Sequence, residues 1–72
     1  MSNKQNQPLN LEQKIVEEAK KTVKETKKSL RYCVSDAILS NISMSEMSRM
    51  AIFLSDYVDY IIKKIKEDEK NV

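Results

Sequence analysis

The chain has 72 residues, a formal net charge of +2 and 33% charged residues, with one cysteine, one proline and no glycine, histidine or tryptophan. This length holds one domain at most, the lone thiol excludes an internal disulfide, and without histidine there is no zinc set. The charge is uneven: residues 1–31 carry eight Lys/Arg against four Asp/Glu and residues 32–72 five against seven, so the basic half suits an acidic partner or the acidic half of a second copy, unless both halves are simply solvated.

Residues 1–8, rich in Asn and Gln and ending at Pro8, read as a disordered leader to a single domain over 9–70. The leader lacks the apolar stretch of a signal peptide, and the longest apolar run, Met50 to Leu54, is too short to cross a bilayer. Cytoplasmic location is therefore expected, and a free Cys33 is compatible with it.

Asn10 as N-cap and Gln13 three residues on predict a helix from Leu11. At about 100° per residue, Ile15, Ala19, Val23, Thr26, Leu30, Cys33, Val34 and Ala37 share one side of a continuous helix over about 11–41. From Leu30 to Ile42 the apolar residues spread round the helix, with Tyr32, Ile38 and Leu39 off the stripe. Either other chains enclose this zone or the helix is interrupted near Ser35-Asp36. One helix, ending near Asn41 as the stand-in for a C-terminal glycine, is the favoured form.

Ile42-Ser43-Met44-Ser45-Glu46-Met47 is a second helix start. Ser43 and Glu46 have capping-box spacing, and Ile42 and Met47 suit a hydrophobic staple. The second helix, about 44–68, carries a heptad seam of Met47, Ala51, Leu54, Val58, Ile61 and Ile65. Beside it runs a ridge of Met50, Phe53, Tyr57 and Tyr60, with fraying expected beyond Glu67. The fold class is thus all-α: a two-helix hairpin which, too small to bury a core alone, dimerises into a four-helix bundle.

The residues carry no phosphate loop, metal cluster or catalytic constellation, so no enzyme, cofactor, metal or small-molecule substrate is expected. Cys33, on the apolar stripe, is expected to be a buried thiol. The partner-binding or dimer-binding set is Met50, Phe53, Tyr57, Tyr60, Tyr32 and Leu39, since Met and aromatic side chains give large adaptable contact area. The function expected is therefore a small regulatory protein acting by protein–protein binding, as a homodimer with a protein partner. The alternative is an RNA- or DNA-binding hairpin dimer gripping phosphates through a basic ridge of Lys20, Lys24, Lys27, Lys28 and Arg31. Membrane-surface binding is not expected, because the lysine and aromatic ridges lie on different helices.

Leu54-Ser55-Asp56-Tyr57-Val58-Asp59 resembles, over six residues, the Ser-Gln-Glu-Leu-Asp signature of the sporulation aspartyl-phosphate phosphatases, which are also helical hairpins. Ser55 and Asp59 match, whereas Asp56, Tyr57 and Val58 replace Gln, Glu and Leu. The resemblance implies Asp59 as the functional residue. Ser43-Met44-Ser45-Glu46 is similar to the start of the second helix in ribbon-helix-helix proteins, but the alternating strand that family needs is missing.

Overall fold

The computed structural model describes residues 9–70, with side chains described over 11–69. Four helices follow in order: α1 Leu9–Thr26, α2 Leu30–Asn41, α3 Met44–Arg49 and α4 Leu54–Lys70. The all-α class is as the periodicity predicts. The leader expected over 1–8 lies outside the described residues, as does the Asn10 side chain, and α1 already includes Leu9.

Both long helices expected from the sequence are broken, and each break turns on a residue with positive φ. At the first, Lys27 has φ 60° and its N–H donates to the Val23 carbonyl at 2.9 Å, the single-bond left-handed helix end that glycine usually makes. The Thr26 hydroxyl accepts from the Lys28 N–H at 3.3 Å. Ser29 then caps α2, its Oγ accepting from the Tyr32 N–H at 3.2 Å. The interruption therefore falls at 27–29, not at Ser35-Asp36, which lie inside α2.

The second break is a complete Schellman motif with alanine in glycine's place. Ala51 has φ 57°, its N–H donates to the Ser48 carbonyl at 3.1 Å, and the Ile52 N–H donates to the Met47 carbonyl at 2.8 Å. Of Ile52 and Met47, the pair whose apolar contact accompanies this motif, Met47 belongs to the core cluster and Ile52 is packed against it. A left-handed non-glycine residue costs roughly 1–2 kcal/mol, so both breaks must be held by what they allow to be buried.

What they allow is a core closed within one chain. Reversal at 27–29 lays α2 back on α1, and α2 packs on α4 as well. Ile15, Val16 and Ala19 of α1 join Val34, Ala37 and Ile38 of α2, Ile42, Met47, and Val58, Ile61 and Ile65 of α4 in one buried cluster. Ile38, off the stripe of a straight helix, is fully buried because α2 faces two neighbours at once. That two-sided contact explains its broad apolar arc. The breaks thus supply a layer of burial within one chain, and dimerisation into a four-helix bundle is not shown.

Several expectations are met in detail. The box at α3 forms, with Ser43 Oγ accepting from the Glu46 N–H at 3.1 Å and Glu46 Oε1 accepting from the Ser43 N–H at 2.9 Å. Ile42 and Met47 are both buried, and so is Cys33. Asn41 is corrected: it is the last residue of α2 without positive φ, and its Nδ2 donates to Glu18 Oε1 at 3.0 Å and to the Ala37 carbonyl at 2.8 Å, tying the end of α2 to α1. α4 reaches Lys70, past the expected onset of fraying at Glu67, while 71–72 lie outside the described residues.

Candidate interaction surface

The second break divides the ridge that the sequence places on one helix. Met50 is the C-cap of α3 and Phe53 immediately precedes α4, whereas Tyr57 and Tyr60 lie within α4. Their environments differ accordingly. Tyr57 is half-buried against the core, and its ring stacks on that of Tyr60 with centroids 5.9 Å apart and planes 12° from parallel. Burial pushes the Tyr57 hydroxyl above its ordinary 10.0, with the Glu12 carboxylate adding to the effect.

Tyr60 is drawn into a polar clasp between α4 and α1. Its hydroxyl donates to Glu12 Oε1 at 3.1 Å, and Lys64 approaches Glu12 Oε2 at 3.7 Å while lying 5.5 Å from the centre of the Tyr60 ring. The Tyr60 and Glu12 charges hold the Lys64 ammonium above its ordinary 10.5. Tyr60 and Lys64 thus fasten α4 to α1, a role the sequence does not reveal because Glu12 is 48 residues from Tyr60.

Seven large apolar side chains stay exposed among the described residues, from Leu11 on α1 to Tyr60 on α4, and the three most exposed lie between α2 and α4. Phe53 is 72% exposed, Met44 61% and Met50 55%, with Leu39 exposed nearby in sequence at the end of α2. Met44, at the first position of α3, is absent from the sequence-derived set. Its signal was available, since in a helix capped by Ser43 and turned inward at Met47 both Met44 and Met50 flank the buried face. Tyr32, seven residues before Leu39, shares the outer side of α2 and is likewise exposed. Its ring carries the Lys28 ammonium 4.6 Å from its centre, which partly occupies that face.

The basic residues do not form one ridge. The break at 27–29 places Lys20 and Lys24 on α1 and Arg31 on α2, with Lys27 in the left-handed position between. Arg31 Nη2 lies 2.6 Å from Asp59 Oδ1, bridging α2 to α4, and Lys28 sits over Tyr32. Lys20, Lys21 and Lys24, with Glu17 and Glu69, surround an open groove of about 670 Å³ above Val23, Leu30 and Ile65. Asp59, singled out by the phosphatase resemblance, is exposed and held by Arg31. Among the described residues no cluster of potential metal ligands gathers, and no helix is long and apolar enough to cross a membrane. Comparison with protein-family models, with curated proteins and with solved structures finds no match.

Proposed function

We propose that this protein is a non-enzymatic regulator that acts by binding another protein through the apolar surface of Leu39, Met44, Met50 and Phe53. The observation that carries the reading is the contrast between this surface and the core. The single chain already buries Met47, Val58, Ile61 and Ile65 of its seam, although Ala51 is exposed and Leu54 only partly buried, so Leu39, Met44, Met50 and Phe53 are not needed to close the fold, yet Phe53 keeps 72% of its surface in water. Large flexible methionines round an aromatic anchor are the composition of an adaptable protein-binding face. The nucleic-acid reading lacks the continuous ridge it needs, because Arg31 and Lys28 are engaged within the chain and the remaining lysines are interleaved with Glu17 and Glu69.

A photo-crosslinking side chain at position 53, introduced in the native cell, tests the proposal. A discrete adduct is expected from position 53 and not from the same probe at Lys63, on the polar side of α4. Its mass separates a heterologous partner from a second copy, the arrangement in which two chains form a dimeric bundle. Equal diffuse labelling from both positions would remove the assignment.

A further inference from the structure

We propose that the 27–29 connection is a hinge through which two copies of this chain exchange α1, forming a dimer in which α1 and α2 of each copy join as one continuous helix. The connection is three residues long and holds Lys27 in a left-handed conformation without glycine. Short hinge loops under strain favour exchange of an element between identical chains. Straightening returns Lys27 to the helical region, where lysine is a good helix former.

The helical register of the inward positions continues through the hinge, with exposed Thr26 as its one polar member. Ile15, Ala19, Val23, Thr26, Leu30, Cys33 and Ala37 step by four, four, three, four, three and four residues, a repeat close to the helical period. A straightened helix therefore presents the core faces of α1 and α2 on one side, and an antiparallel second copy covers both, α1 of each chain lying on α2 of the other. The contacts between α1 and the rest of the fold are then remade between chains, including the Glu18–Asn41 bond and the Glu12 clasp on Tyr60 and Lys64. The closed form retains the Ser29 cap on α2, which straightening gives up. Two small opposing local effects thus set the balance, and chain concentration tips it. The exchange does not involve the 39–53 surface.

The test uses three full-length proteins: the wild type, Ser29→Ala, which removes the cap, and Lys27→Gly, which removes the left-handed penalty and disfavours the straight helix. Sedimentation velocity over a concentration series should show a reversible dimer that Ser29→Ala strengthens. Lys27→Gly should weaken it by about tenfold or more, because each dimer straightens two hinges. A second readout identifies the arrangement. With Cys33→Ala as background, Glu18→Cys and Asn41→Cys are joined by a short bismaleimide, and the closed monomer gives a link within one chain whereas the exchanged dimer gives a covalent dimer. Should Ser29→Ala lose helicity, the wild type and Lys27→Gly carry the comparison. Monomers throughout the series, or a dimer whose 18–41 link stays within each chain, would overturn the proposal.

Discussion

The sign of a single alanine-to-glycine change at residue 51 separates the broken α3–α4 segment from a straight helix over 44–68. Ala51 sits at φ 57° with the two Schellman bonds closed behind it. There the Cβ of alanine costs roughly 1–2 kcal/mol. Ala51→Gly removes that cost, while the greater freedom of glycine in the unfolded chain takes back about 0.4–1 kcal/mol. The net is a stabilisation of about 1 kcal/mol, equivalent to about 4–8 °C in Tm for a domain of this size. In an uninterrupted helix the same change costs about 1 kcal/mol instead. The two arrangements thus differ by roughly 2 kcal/mol with opposite sign, well beyond the precision of matched urea melts followed by circular dichroism. An unchanged m-value with a raised midpoint supports the break. A lowered midpoint would show that residues 44–70 form one helix and that the core as described is wrong. Ala51→Val provides the converse check, since a β-branched side chain in this position must destabilise.

Asn41→Ala should destabilise the fold by about 1–2 kcal/mol in the same melts, because it removes the bond to Glu18 and leaves that carboxylate without its partner from α2. Phe53→Asp should hold or raise stability, by up to about 1 kcal/mol, since residue 53 occupies the N-cap position of α4, with its carbonyl accepting from the Tyr57 N–H; a variant that unfolds would show that the ring serves the core. The Glu46 carboxyl lies below its ordinary 4.5, chiefly through the Ser43 N–H and then the Ser43 hydroxyl. A depressed folded value means that stability is present above 4.5 and lost as pH falls through the folded value, so the advantage of wild type over Glu46→Ala should shrink in acid. The raised Tyr57 hydroxyl works the other way: the neutral form is favoured on folding, the contribution is full below 10.0 and is lost as pH rises through the folded value. Alkaline loss of helicity should be delayed in Tyr57→Phe.

The parts of this fold legible in the sequence are those decided within one or two turns. The Ser43–Glu46 box requires only two residues three apart, and the inward positions Ile15, Ala19, Val58, Ile61 and Ile65 follow from helical period whether or not the helix continues. The breaks were not legible because glycine and proline, their usual markers, are absent, and Ser29, a helix-start residue, stood inside a continuous apolar stripe. Lys27 and Ala51 are both good helix formers, and neither glycine nor proline lies near them. The candidate surface was legible in composition and not in geometry: Met50, Phe53 and Tyr60 are exposed as expected, but Met50 and Phe53 lie on the α3–α4 connection, Tyr60 bonds Glu12 of α1 and Tyr57 packs against the core. Contacts separated by 48 residues, such as Tyr60 with Glu12, depend on where the chain reverses and cannot precede that knowledge.

A straight hairpin of two long helices has only one shared face, so residues outside its seam, such as Ile38 and Ile52, would remain in water or await another chain. Folding the chain at 27–29 and 50–53 places Ile38 in the core and Ile52 against it. Burying an aliphatic side chain of this size contributes about 1.5–3 kcal/mol, comparable with or larger than the roughly 1–2 kcal/mol of a left-handed lysine or alanine. Burial therefore outweighs local preference at each break, though by a margin small enough for one hinge substitution to matter. Relieving Lys27 should deepen the monomeric state, whereas truncating Ile38 to alanine should destabilise the closed monomer and the exchanged dimer alike, by about 2–5 kcal/mol per chain, because both bury that side chain between the same neighbours. A large change in self-association in Ile38→Ala would mean that the dimer buries α2 differently from the closed chain and that the hinge residues alone do not set the balance.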